Sequence, residues 1–399
     1  MNVGFYESER FLVIMRKRVR KIKLIFANLF WMALCFKRSC CFHTSTFNVE
    51  KAQRKVLLRI LRKNSDTAFG REHKFSSISK VIDFQSRVGV QTYDFYKGYI
   101  DSIALGDKAV LTTEPVVLLE PSSGSTSSSK YIPYTLSLYE EFKKGLSPWI
   151  FDLFIKKRDL LLGSAYWSIS PTTRINKVNS KIPVGFGNDA GYFGKTERGL
   201  LDTIFAVPSR VSEIEDVEAF RYVTLRFLLS DKDLAFISIW NPSFLILLLE
   251  PLGKWLSLLI KDIEEGTLSP PSSIDLNLKL ALLKKCHRDK LRAKELKDLF
   301  ASWGLGKISF VDDKGIYENI WPKLNLISCW ADSHAGTQIK ELKMIFPNVE
   351  IQSKGLLATE GIVSFPLMGE KGAVLSTLSH FYEFIEINNE SGDSSNATD

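Results

Sequence analysis

Apolar positions along this chain recur with two periods. Between residues 49 and 63, Val49, Ala52, Val56, Leu57, Ile60 and Leu61 return every three or four positions with Lys and Arg between them. That spacing predicts an amphipathic helix, with Asn48 placed to cap it. Residues 136–157 show the same period and contain Pro148, which predicts a kink or break. Short apolar runs predict buried strands at 116–119, 160–169, 234–240, 324–330 and 349–352. Helical patterns fill 214–229, 244–264, 289–303 and 334–346. Strands alternating with helices predict an α/β fold, with mixed or largely parallel sheets flanked by helices. Residues 266–273, with Pro270-Pro271, read as a loop, as does the polar tail 388–399.

A chain of 399 residues exceeds one minimal core. The expected division is a basic and apolar arm with a helix over 1–48, a large domain of at least two α/β subdomains over 49–387, and the tail. Charge divides the same way. Residues 1–63 carry fifteen Lys and Arg against Glu7, Glu9 and Glu50, a net of +12. The total of +8 leaves the body at −4, without the basic face that nucleic acid requires. Five cysteines at irregular spacing suit neither a metal finger nor a disulfide framework, and fit a reducing cytoplasm. In the arm, basic residues 16–23 precede an apolar run at 24–36. A run of thirteen residues is too short to span a bilayer. A helix of the fold, contact with a membrane surface and a signal sequence all stay open.

Candidate chemistry sits at three places. Glu120-Pro-Ser-Ser-Gly-Ser-Thr-Ser-Ser-Ser-Lys130 follows an apolar run and offers backbone N–H groups, hydroxyls and one ammonium, the groups a phosphate needs. It lacks the Gly-Lys-Ser/Thr of a Walker loop, and a polar linker has the same composition. Lys354-Gly-Leu-Leu-Ala-Thr-Glu-Gly361 follows a predicted strand, where Thr359 and Glu360 could face phosphate and Mg²⁺, or form an ordinary turn. Ser328-Cys-Trp-Ala-Asp-Ser-His334 could line a pocket with Trp330, or simply cap a helix beside a core aromatic.

In order, these segments together with Thr67-Ala-Phe-Gly70, Lys130-Tyr-Ile-Pro-Tyr-Thr135, Tyr166-Trp-Ser-Ile-Ser-Pro171 and Phe381-Tyr-Glu-Phe-Ile385 resemble the Gretchen Hagen family of auxin-responsive acyl-acid amido synthetases. That family lies within the acyl-adenylate-forming superfamily, and its bacterial-type branch is the nearest likeness. The resemblance implies the large domain of a ligase that uses ATP and Mg²⁺ to activate a small carboxylic acid and passes it to an amine or amino acid. It implies that Ser123, Gly124, Ser125, Thr126, Ser127 and Lys130 bind the ATP phosphates. Lys130, Thr359 and Glu360 would be catalytic, Glu360 would hold the metal, and Trp167 and Trp330 would wall the acid pocket. Two departures stand out. Ser127 occupies a position where the family usually has glycine, at a cost on the order of 1 kcal/mol if the backbone there needs positive φ. The family's ribose-binding Arg-and-Asp motif and small C-terminal domain have no counterpart here. The expectation is therefore a C-terminally truncated member, either a ligase working alone or with a separate C-terminal chain, or an incomplete remnant that binds a nucleotide or partner.

Overall fold

The computed structural model describes residues 3–122, 130–168, 180–185, 195–302, 315–331 and 336–386. The apolar run at 24–36 lies within a long first helix, α1 (Val3–Thr46). Its residues Leu24, Ala27, Asn28, Trp31, Cys35 and Phe42 are buried at helical spacing. Asn28 Nδ2 donates to the carbonyls of Leu161 (3.1 Å) and Gly163 (2.9 Å), so the polar residue on that face is satisfied. Helix α2 (Val49–Lys63) begins where the Asn48 side chain accepts from the Lys51 amide at 2.9 Å, as its sequence predicts.

Three short helices follow: α3 (Ala68–Glu72), α4 (Val81–Arg87) and α5 (Tyr93–Ala104). With α2 they close a small apolar cluster around Leu57, Leu61, Phe69 and Phe75. An antiparallel hairpin, β1 (Leu118–Ser122) and β2 (Lys130–Tyr134), rests on α5 through Ile103 and Leu119. Helix α6 (Leu136–Lys156) starts with Thr135 Oγ1 accepting from the Leu138 amide (3.2 Å) and runs through Pro148 without ending.

The central sheet has four parallel strands in chain order: β3 (Ser164–Trp167), β4 (Leu234–Ser238), β5 (Leu326–Cys329) and β6 (Glu350–Ser353). Every crossover is helical, as parallel pairing requires. α7 (Lys195–Ile204) and α8 (Val217–Ser230) join β3 to β4. α9 (Pro242–Leu249), α10 (Leu252–Glu265), α11 (Leu276–Leu283), α12 (Lys290–Ser302) and α13 (Ile316–Ile320) join β4 to β5, and α14 (Gly336–Ile345) joins β5 to β6. Alternation along the strands divides the two faces. Tyr166, Ile237 and Ile327 enter the core shared with α8, α10 and α12. Ala165, Phe236 and Leu326 enter the core built by α1 and α6. Both faces are covered, which explains why the strands read as continuous apolar runs. Two small antiparallel pairs follow β6. β7 (Leu357–Ala358) pairs with β8 (Gly361–Ile362), and β9 (Ser364–Pro366) with β10 (Ala373–Leu375).

Two elements depart from the sequence pattern. The helix read across 244–264 is two, α9 and α10, bent by 68° across the Glu250-Pro251 break, because Pro251 cannot continue the hydrogen-bond ladder. The strand read from residue 160 begins only at Ser164, since 158–162 form a 3-10 turn closed by Leu160. The loop at 266–273 follows Gly266, whose φ of 76° ends α10.

Candidate active site at the strand ends

The carboxyl ends of the parallel strands converge on one edge. Beyond the strands proper, the Ser168 amide donates to Ser238 O (2.8 Å), Trp330 to Trp240 O (2.8 Å) and Lys354 to Cys329 O (2.8 Å). Pairing register then sets which side chains share a face. Trp167, Ser238, Ser328 and Gln352 stand in one row across the sheet, on the side that α1 and α6 cover. Lys354, two residues after Gln352, returns to that same face.

Lys354 is only 7% exposed. Its Nζ donates to Ser238 Oγ at 2.9 Å and lies 4.1 Å from the centre of the Trp240 ring, 5.5 Å from Trp167 and 5.7 Å from Trp149. The ring faces carry negative potential, so they stabilise the ammonium in a place where water reaches poorly. Trp149 is fixed in turn by Nε1 donating to Gln352 Oε1 at 2.9 Å. Trp330 packs on Trp240 with ring centres 5.7 Å apart and is itself 36% exposed, forming the outer rim. The edge thus carries a cluster of tryptophan rings around one buried cation. Ser328 Oγ, in the same row, is buried with no hydrogen-bond partner among the described residues. Cys329 does not supply a nucleophile, because burial pushes its thiol up to about 11 even with Lys354 nearby drawing it down.

The hairpins come next to this edge. Ser122 pairs with Lys130 across β1 and β2, so both ends of the hydroxyl-rich segment are held together. Lys130 Nζ sits 5.9 Å from the centre of the Tyr93 ring, and the Tyr93 hydroxyl accepts from the Tyr131 amide at 2.8 Å. Thr359 and Glu360 form the two-residue turn between β7 and β8, with Glu360 exposed. One bond ties the two hairpins: the Tyr134 hydroxyl donates to Thr359 O at 2.5 Å. Glycine is required at both ends of this segment. A Cβ on Gly355 would lie 2.2 Å from Ser364 O, and one on Gly361 would lie 1.8 Å from His380 Nε2.

His380 therefore backs the Thr359-Glu360 turn. Burial, together with the nearby Lys144 and Arg59 charges, lowers its pKa to about 4, so the ring is neutral near pH 7. Ser379 Oγ (3.1 Å) and the Tyr382 hydroxyl (3.0 Å) both donate to Ile362 O and hold β8. Gln53 of α2 anchors this region, donating to Thr377 O and His380 O and accepting from the Tyr382 amide.

Of the residues singled out by sequence, Lys130, Thr359, Glu360, Trp167 and Trp330 are described. Trp167 and Trp330 meet through Trp240 and Lys354. Lys130 and Thr359 are joined through β2 and Tyr134. Ser123, Gly124, Ser125, Thr126 and Ser127 lie outside the described residues, as do Asp332 and His334. Sequence reasoning did not single out Lys354, Trp149, Trp240, Tyr134 or His380. Lys354 carried a signal, a lysine directly after an apolar strand. The other four meet the site from distant segments.

A profile of the GH3 family N-terminal domain matches residues 40–351. Among curated relatives, the indole-3-acetic acid-amido synthetase GH3.3 of Arabidopsis thaliana is 32% identical over 92 residues, which is 23% of this chain and 16% of that protein. The putative indole-3-acetic acid-amido synthetase GH3.10 of Oryza sativa subsp. japonica is 32% identical over 87 residues, 21% of this chain and 18% of that protein. A solved GH3.15 acyl acid amido synthetase superposes with a TM-score of 0.67 at 19% identity, covering 83% of this chain and 57% of the other. AtGH3.15 acyl acid amido synthetase in complex with 2,4-DB gives a TM-score of 0.70 at 19% identity, covering 87% and 60%. The chain thus spans somewhat over half of the solved relatives it superposes on. By a domain match that takes in most of its length, this chain belongs to the GH3 family.

Proposed function

We propose that this chain activates a small carboxylic acid with ATP as an acyl-adenylate and directs the acyl group to an amine or amino acid. The observation that carries this reading is the Tyr134–Thr359 bond, which joins the β1–β2 hairpin, whose far end carries Ser122 and Lys130, to the Thr359-Glu360 turn, a few residues along the chain from Ser353 at the carboxyl edge of the sheet. Ligands of open α/β sheets bind at that edge.

In the first half-reaction a carboxylate oxygen attacks the α-phosphorus of ATP, and the bond to the pyrophosphate oxygen breaks with its electron pair. The amine then attacks the acyl carbon, and AMP leaves. Charge accumulates on phosphate oxygens throughout, so donors fixed beforehand have the most to contribute. In this reading Ser123, Gly124, Ser125, Thr126 and Ser127 supply hydroxyl and backbone donors, and Lys130 supplies the ammonium at the hairpin mouth. Among the described residues no three His, Cys, Asp or Glu side chains gather to cage a metal. Exposed Glu360 fits Mg²⁺ held by one carboxylate, with phosphate oxygens and water filling the other positions. Bound there, Mg²⁺ would disperse the charge of the leaving pyrophosphate. Trp167 and Trp330 would wall the acid. The neighbour solved with 2,4-DB supports an acyl acid as the substrate class.

Pyrophosphate exchange into ATP, measured with Mg²⁺ and a panel of carboxylic acids, tests this. Acid-dependent exchange is expected. Absence of exchange with every acid, in a chain that still binds MgATP, would overturn acid activation and leave nucleotide binding standing.

A further inference from the structure

We infer that α1 docks this protein on an anionic membrane surface. The helix has two apolar faces. One is in the core described above. The other carries Val19, Ile22, Phe26, Leu29, Phe30 and Phe36, all at helical spacing and 44 to 68% exposed. They form one stripe that runs roughly 26 Å along the helix. Exposed stripes of this kind on a folded chain mark an interaction surface.

Charge identifies the occupant. Exposed Arg18 and Lys23 border the stripe on opposite sides, and exposed Lys37 lies at its end. Lys17 and Arg20 are turned inward instead, to Asp289 (2.9 Å) and Asp231 (2.5 Å). No Asp or Glu occurs between Arg10 and Val49, so nothing on this face could pair with a second copy of itself. Two such helices face to face would set cations against cations. An anionic lipid surface complements the whole face, with the aromatic stripe entering the headgroup boundary and the flanking cations meeting the phosphates. No single helix among the described residues is long and apolar enough to cross a bilayer. The helix would therefore lie along the surface. The GH3 domain match begins at residue 40, so the stripe precedes the family domain and is independent of the ligase reading.

The test is flotation of the full chain with vesicles of phosphatidylcholine alone and of phosphatidylcholine with about 30% phosphatidylserine. Wild type is expected to float with the phosphatidylserine vesicles, and to be released by salt. The triple variant Ile22→Ser, Phe26→Ser, Phe30→Ser should lower partitioning at least about tenfold. Arg18→Gln, Lys23→Gln, Lys37→Gln should remove the preference for the anionic vesicles. All six positions are exposed, and unchanged circular dichroism would show that the variants fold. No flotation with either vesicle would overturn the inference. So would a dimer, seen by light scattering, that the triple serine variant dissociates, since the occupant would then be a second copy.

Discussion

Two of the cations buried among the described residues, Arg226 and Lys354, have different surroundings. Arg226 of α8 is 1% exposed and saturated by its own core. It donates to Asp262 O (3.0 Å), Thr267 O (3.2 Å) and the Ser230 hydroxyl. Asp262 in turn accepts from the Tyr222 hydroxyl (2.8 Å) and the Ser269 amide (2.7 Å). That network fastens the 266–273 loop to α8 and α10. Lys354 is 7% exposed and lies at the carboxyl edge of the sheet, against one hydroxyl and three tryptophan faces. The difference is between rigid polar acceptors and polarisable ring faces. The first arrangement commits a cation to holding the fold. The second keeps a positive field at the edge where the substrate chemistry is proposed. Burial alone does not distinguish these roles; position relative to the strand ends does.

The largest expected effect lies on the structural side. Asp262→Ala leaves the Tyr222, Thr267 and Ser269 hydroxyls and the Ser269 amide without their acceptor and removes the carboxylate charge beside buried Arg226, and should lower stability by about 3–5 kcal/mol in urea unfolding. MgATP affinity of the folded fraction should not change. A loss of affinity there would erase the contrast with Lys354.

Next is the acid response of the turn's support. His380 has its pKa lowered to about 4 in the folded chain, against an ordinary value near 6.5. The unfolded chain therefore binds more protons between these values, and stability falls as pH drops from about 6.5 towards 4. The contribution is complete above that window and worth up to about 3 kcal/mol. His380→Gln should flatten the slope of melting temperature against pH in that window. An unchanged slope would assign the acid response to other groups.

Smaller still is Gly361→Ala. Its Cβ collides with His380, a strain of about 1–3 kcal/mol that must also shift Thr359 and Glu360. Stability and MgATP affinity should fall together. Falling stability with intact affinity would detach this turn from the nucleotide site.

Least in stability, Lys354→Met should stay within about 1 kcal/mol of wild type, because an apolar side chain suits the tryptophan faces. Acid-dependent pyrophosphate exchange should nevertheless fall by on the order of a hundredfold. A Lys354→Met variant as unstable as Asp262→Ala, yet fully active, would reverse the comparison.

What the chain discloses about itself follows the same division. The four parallel strands and most crossover helices are written in local periodicity, since burial on both sheet faces demands continuous apolar runs. The break at Pro251 was visible as a residue, but the apolar pattern across it outweighed it. Thr359, Glu360 and Lys130 are legible through their motifs. The aromatic cluster around Lys354 is not, because Trp149 comes from α6, Trp240 follows β4 and Lys354 follows β6, and they meet only in the folded sheet. His380 is concealed for a similar reason. Its neighbour Gly361 is nineteen residues away, and only the missing Cβ makes room for the ring.

The central claim, that the paired hairpins at the strand ends receive nucleotide phosphates, is tested most directly by titrating MgATP into wild type and Lys130→Ala in a calorimeter. Wild type should bind, and the variant should bind at least about tenfold more weakly while melting at the same temperature. Equal affinity in the two proteins would contradict it.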